Sequence, residues 1–190
     1  MAARNVRWII PLADVTTAVE PSVGGKAARL AHLIQAGFRV PPGFCIPVAG
    51  YDRFVKAADL ATVVRLALGR KPLEAMRWEE LWDTALRIRS AFLAAPIPTP
   101  LADAITGAVE ALGAGVPLAV RSSAPGEDSA GGAFAGIHES VVDLIGGPAV
   151  LEAVTVAELL AEIVSVGVRM EPSAKADTLS TPAFTVVTPE

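Results

Sequence analysis

Lys26 stands directly behind paired glycines, in the run Val23-Gly24-Gly25-Lys26-Ala27-Ala28-Arg29-Leu30. Much later in the chain, Arg121 ends an apolar run and opens a small-residue turn, in Leu118-Ala119-Val120-Arg121-Ser122-Ser123-Ala124. A third stretch, Gly131-Gly132-Ala133-Phe134-Ala135-Gly136, carries no bulky polar side chain. Cations set beside flexible, glycine-rich backbone are what a phosphate ligand requires. Lys26 falls at an expected helix N-terminus, where unpaired N–H groups and the helix dipole already favour an anion. Arg121 at the carboxyl end of a buried strand would face a ligand crevice, and its guanidinium fork can hold two phosphate oxygens. The loop from Gly131 to Gly136 can offer backbone N–H groups and fold over a nucleotide as a lid.

Each of these residues also has a plainer reading that the spacing leaves open. Lys26 fits a solvated lysine in the first turn of a surface helix. Arg121 fits an arginine paired with Glu127 or Asp128, and the glycine loop fits a simple hairpin connection. Phe134 can cover an adenine or, more simply, anchor its loop to the core. The adjacent carboxylates Glu127 and Asp128 suit Mg²⁺ or plain solvation. The first run is not a Walker A loop, because Glu20 stands where that motif needs glycine and Ala27 where it needs a hydroxyl. His32 and His138 lack an evident acid–base partner and read as structural. Cys45 reads as a small buried hydrophobe. Trp78 and Trp82, four apart on a helix, are expected to make core contacts.

Composition narrows the classes. The 190-residue chain has a net charge of −4 at pH 7, which argues against a non-specific nucleic-acid binder. One cysteine excludes an internal disulfide and a multi-cysteine metal site, and two histidines leave no histidine-rich metal centre. No metal-ligating set is assigned. The run Trp8-Ile9-Ile10-Pro11-Leu12 is too short for a signal-peptide core, and no uncharged apolar stretch reaches a membrane-span length of about 18 residues. A cytoplasmic protein, without nucleic acid or membrane as partner, is expected.

These residues need elements to position them. Trp8–Leu12 reads as a short strand and Asp14–Val23 as a loop. Gly24–Ala36 reads as a helix with Leu30, Leu33 and Ile34 on one face and Gly37 as its stop. Val40-Pro41-Pro42-Gly43 must turn, and Phe44–Val48 reads as a strand. Tyr51–Lys56, Leu60–Leu68, Trp78–Ala94 and Leu101–Leu112 all have helical apolar spacing. Val116–Val120 reads as a buried strand, Ser122–Gly136 as a loop and His138–Leu144 as the return strand. Ala149–Val168 reads as an apolar helix. The remaining residues read as a tail, with Phe184-Thr185-Val186-Val187 as a stray strand.

Taken in order, four segments resemble one family. Val23–Leu30 resembles its V-G-G-K-G-A-N-L, and Val40–Phe44 its V-P-P-G-F. Val120–Asp128 is similar to V-R-S-S-A-x-x-E-D, and Phe134-Ala135-Gly136 to S-F-A-G. The family is the N-terminal nucleotide-binding domain of phosphoenolpyruvate synthase, pyruvate phosphate dikinase and rifampicin phosphotransferase. The resemblance implies an α+β fold, the N-terminal portion of an ATP-grasp domain, with a mixed sheet flanked by helices. It implies ATP and Mg²⁺ as ligands, with Lys26 and Arg121 on the phosphates and the loop Gly131, Gly132, Ala133, Phe134, Ala135 and Gly136 closing over them. It also implies phosphoryl transfer toward a histidine carried elsewhere, so His138 is not the phosphocarrier.

The departures are Ala27-Ala28-Arg29 for Gly-Ala-Asn, Ala133 for the frequent serine, and Ile137-His138-Glu139-Ser140 where glutamine and threonine are usual. The similarity fades after about Val154. The expected organisation is a partial ATP-grasp domain over 1–150, an amphipathic helix over 151–168 and a poorly ordered tail over 169–190. No catalytic residue is assigned within the chain, and the Mg²⁺ ligands are expected outside it. Three accounts follow: a truncated product, one piece of a split enzyme completed by a second chain, or a stand-alone module that binds a nucleotide or a protein without catalysis.

Overall fold

Phe44, Cys45 and Ile46 are three consecutive apolar residues, and a strand must send them to opposite faces. A computed structural model of the chain describes residues 7–123, 140–155 and 183–187, and there the three part as required. Phe44 and Ile46, on strand β2 (Gly43–Ile46), enter one hydrophobic core, while Cys45 enters another. The sheet is therefore buried on both sides. Its strands are β1 (Ile10–Pro11), β2, β3 (Leu118–Ser123), β4 (Ser140–Leu144) and β5 (Ala183–Val187), in the spatial order β1-β2-β5-β3-β4.

Helix α1 (Gly24–Gln35) covers one face. Its small residues Ala27 and Ala31 are buried against Ile10, Leu12, Val15, Val23 and Cys45. The larger core lies on the other face, under α2 (Val48–Ala57), α3 (Leu60–Leu68), α4 (Trp78–Ala94), α5 (Thr99–Leu112) and the helical segment 146–155. Phe54 and Phe92 meet there edge to face, with ring centroids 6.1 Å apart. Leu118 and Val120 of β3 point into this core beside Ile105 and Val150. The chain is thus α+β, with the sheet between a single helix and a helical layer.

Most of the expected elements stand, α3 and α4 to the residue. Three differences have physical causes. The four strand pairings among the described residues are all antiparallel, so the expected mixed sheet is not what forms. Residues 183–187, expected as a stray strand, form β5 at the centre of the sheet, paired on one side to β2 and on the other to β3. A five-residue strand has too few residues for its periodicity to show which neighbours it will find. Trp78 and Trp82, expected in the core, are 73% and 58% exposed. They lie side by side in the solvent, centroids 6.4 Å apart and ring planes tilted by 34°, because the buried face of α4 belongs to Ile88 and Phe92.

No single helix among the described residues is long and apolar enough to cross a membrane. α4 and α5 pass that test only as a pair bent by 75°, and each buries one apolar stripe in the core, Ile88 and Phe92 on α4 and Leu101, Ile105 and Val109 on α5.

Candidate functional site

The glycine–lysine turn is built by a break in the backbone just before α1. Gly24 has φ +76°, a left-handed conformation in which a side chain would be strained. It follows a 3-10 turn at Glu20–Ser22 and redirects the chain into the helix. The N-cap is Val23, whose side chain cannot accept a hydrogen bond, and the first turn holds no acidic residue. An anion would meet the positive end of the helix dipole there without competition from a cap. Lys26 lies in this first turn, half-buried, with Arg29 one turn further and exposed.

The far end of α1 is closed firmly. Gly37, at φ +83°, donates to Ile34 O at 3.0 Å, and Phe38 N donates to Leu33 O at 3.0 Å. This is the Schellman arrangement, and it fixes where the helix stops.

Arg121 lies inside β3 rather than at its end, since the strand continues to Ser123. Leu118 and Val120 face the helical layer, so alternation puts Ala119 and Arg121 on the α1 face. Register sets Arg121 opposite both Thr185 and Ser140, in the cross-strand row that runs through Cys45 to Ile10. α1 packs over β5 and β3 on this face. Lys26 and Arg121 therefore belong to one layer of the molecule, Arg121 exposed and Lys26 half-buried. Gly131, Gly132, Ala133, Phe134, Ala135 and Gly136 lie outside the described residues, as do Glu127, Asp128 and His138.

Cys45 sits in the floor beneath α1, fully buried, with its thiol donating to Ile10 O at 3.2 Å. Burial pushes its pKa up to about 12, against a smaller opposing effect of its backbone hydrogen bond. The thiol is a structural donor, as its reading as a small buried residue expects.

Sequence reasoning missed the contacts that hold the turn. His32 Nε2 lies 3.3 Å from Glu20 Oε2, and Gln35 Nε2 donates to Val15 O at 2.9 Å. Their partners sit on the preceding loop, so no helical or strand period marks them. Among the described residues, no group of three or more His, Cys, Asp or Glu side chains is placed to hold a metal ion.

Residues 20–165 match the family model of the pyruvate phosphate dikinase AMP/ATP-binding domain. The chain belongs to that family. This AMP/ATP-binding domain begins its match at Glu20, and β5 lies beyond the matched span. The domain is similar to a phosphoenolpyruvate synthase of Aeropyrum pernix, at 37% identity over 156 residues and 80% of the chain. It is similar to a rifampicin phosphotransferase of a Streptomyces species at 33% identity over 78% of the chain. It also resembles the prodigiosin-synthesizing transferase PigC of Serratia marcescens, at 35% identity over 75% of the chain. The chain spans 19%, 17% and 14% of the lengths of these three relatives.

Proposed function

We propose that this chain is the ATP-binding part of a phosphoenolpyruvate synthase-like phosphotransferase, and that its α+β core is the N-terminal portion of an ATP-grasp domain. The observation that carries the reading is the start of α1. An uncapped helix N-terminus, opened by a left-handed Gly24 and armed with Lys26, stands inside the matched family span. The backbone N–H groups of that turn bind phosphate oxygens, and the Lys26 ammonium neutralises their charge. Arg121 holds further phosphate oxygens through its planar fork. The loop from Gly131 to Gly136 closes over the nucleotide and keeps water away. Phosphoryl transfer depends mainly on positioning and charge stabilisation, which is what such residues supply.

The phosphoryl group would pass to a histidine carried on another part of the polypeptide or on a second chain. The described residues do not assemble a Mg²⁺ site. A cytoplasmic setting belongs to the same reading. A second reading is a module that binds a partner without catalysis. The exposed Trp78 and Trp82 on α4 favour it, because two adjacent tryptophans in water are an unusual surface to leave uncovered.

A thermal-shift titration of the purified chain with Mg-ATP, repeated on Lys26→Ala and Arg121→Ala, tests the first reading. A ligand that binds only the folded state raises Tm by mass action. The expected outcome is a concentration-dependent rise that both variants lose. No rise at millimolar Mg-ATP removes this reading and leaves the binding module.

A further inference from the structure

The left-handed Gly24 that opens α1 has a structural cost. Glycine tolerates many backbone angles, so it does not itself fix the direction in which the next turn points. Something else must set where Gly24, Gly25 and Lys26 lie relative to the body of the helix. Inside the preceding loop, Ser22 Oγ donates to Val19 O at 2.7 Å, Glu20 N to Thr16 O at 2.9 Å and Val23 N to Glu20 O at 3.2 Å. These bonds make the loop a compact unit. They do not attach it to the helix.

Apolar packing of Val15 and Val23 against Ala27 and Ala31 does so in part, and two side chains of α1 add polar ties. His32 and Gln35 are one turn apart on the helix and both reach back to this loop. His32 Nε2 meets Glu20 Oε2 at 3.3 Å, and Gln35 Nε2 donates to Val15 O at 2.9 Å. The first contact grips the 3-10 turn next to Gly24. The second grips the start of the loop, where Val15 is buried. The glycine is thus spanned on both sides by a connection from the C-terminal half of α1.

We propose that Glu20, His32 and Gln35 form a clasp that positions the Gly24-Gly25-Lys26 turn for phosphate. They are positioning residues and touch no ligand themselves. The inference rests on the proposed nucleotide site, and it adds residues that the glycine–lysine motif does not contain. His32 and Gln35 are exposed, so their removal leaves both hydrophobic cores intact.

The test has two arms on the full chain. In the first, hydrogen exchange is read at the Glu20, Ser22 and Val23 amides, which are hydrogen-bonded within the loop, without nucleotide, in wild type, His32→Ala, Gln35→Ala and the double variant. A half-exposed pair of this kind is expected to change local opening about threefold, and the two together about tenfold. Exchange unchanged at those amides overturns the clasp, whether or not the chain binds nucleotide.

In the second arm, Mg-ATP affinity is measured on the same proteins and on His32→Lys, which restores a permanent cation opposite Glu20. His32→Ala and Gln35→Ala are expected to bind about threefold more weakly, with His32→Lys close to wild type. Tight binding by the double variant overturns the coupling to the ligand. A wild type that does not bind Mg-ATP removes the nucleotide reading instead, and the clasp is then decided by the exchange arm alone.

Discussion

Cys45 shows how little a residue's type says about its role until its surroundings are known. The same thiol would be reactive on a surface, but here it is enclosed between β1, β2 and α1 and donates a hydrogen bond to Ile10 O. Its pKa rises from 9.0 to about 12, first because burial disfavours the thiolate. The unfolded chain ionises this thiol near pH 9.0, whereas the folded chain holds the proton until about pH 12. The stabilisation is therefore complete below pH 9 and declines as pH rises toward 12. Unfolding measured against pH for wild type and Cys45→Ala should show stabilities that converge in that window. Native protein should also resist alkylation at neutral pH. Gly24 makes a different residue-scale point, because its φ of +76° is what the chain needs to enter α1. Gly24→Ala is expected to cost about 1 kcal/mol of stability in a denaturant titration. It is also expected to weaken Mg-ATP binding, because Lys26 moves with the turn.

At the scale of elements, the helices are fixed by a few local devices. α4 begins where Arg77 N donates to Glu80 Oε2 at 2.8 Å, and Lys71 Nζ donates to the same oxygen at 2.8 Å. The Lys71 hydrogen bond first, and the Arg77 backbone bond second, hold the Glu80 carboxyl below its ordinary range. A depressed carboxyl stabilises the fold above its unfolded pKa, and that contribution is lost as pH falls through the lower folded value. The Tm difference between wild type and Glu80→Gln should accordingly be largest at neutral pH and shrink below pH 4.5. Packing between elements is tighter at Gly50 on α2. A Cβ added there would meet Ile46 Cγ2 at 2.7 Å, and Ile46 is fully buried and cannot yield. Gly50→Ala is expected to cost about 1–3 kcal/mol by overpacking, read as a lower midpoint in urea unfolding.

The same elements show what a sequence can carry. α3 and α4 were legible to the residue, because an apolar stripe at helical spacing is a local property. α1 was legible too, through its glycine stop and its glycine–lysine start, and the order of its motifs carried the family. The faces of the helices were not legible. Trp78 and Trp82 have the right spacing for a core stripe, yet the buried stripe of α4 runs through Ile88 and Phe92. Which stripe is covered depends on the approach of α3 and α5, and spacing along one helix does not encode it. Arg121 was placed near the end of its strand, because the serines after it resemble a turn. Pairing with β5 extends β3 through Ser123. The Glu20–His32 and Gln35–Val15 contacts join elements across a loop and leave no periodic trace at all.

At the scale of the whole molecule, β5 decides whether the sheet is one object. β1 and β2 pair with each other, as do β3 and β4, and among the described residues β5 is the strand that joins these two pairs into one sheet. Gly43 to Ile46 pair with residues 187 to 184, and Ala119 to Ser123 pair with residues 187 to 183. Val186 stands opposite Phe44 on one side and Val120 on the other, so its backbone lies inside both ladders, one pair from their end. A proline there has no N–H to give and is poorly accommodated in a central strand. Val186→Pro is therefore expected to destabilise the fold by about 3 kcal/mol or more. Val186→Ile keeps the backbone N–H that the ladder uses and serves as the control. The position of Lys26 and Arg121 relative to each other depends on the same strand, since α1 lies over both β5 and β3. Where Val186→Pro remains folded enough to assay, its Mg-ATP affinity should fall further than its loss of Tm accounts for. An affinity that tracks Tm alone would mean that β5 stabilises the domain without setting the distance between Lys26 and Arg121.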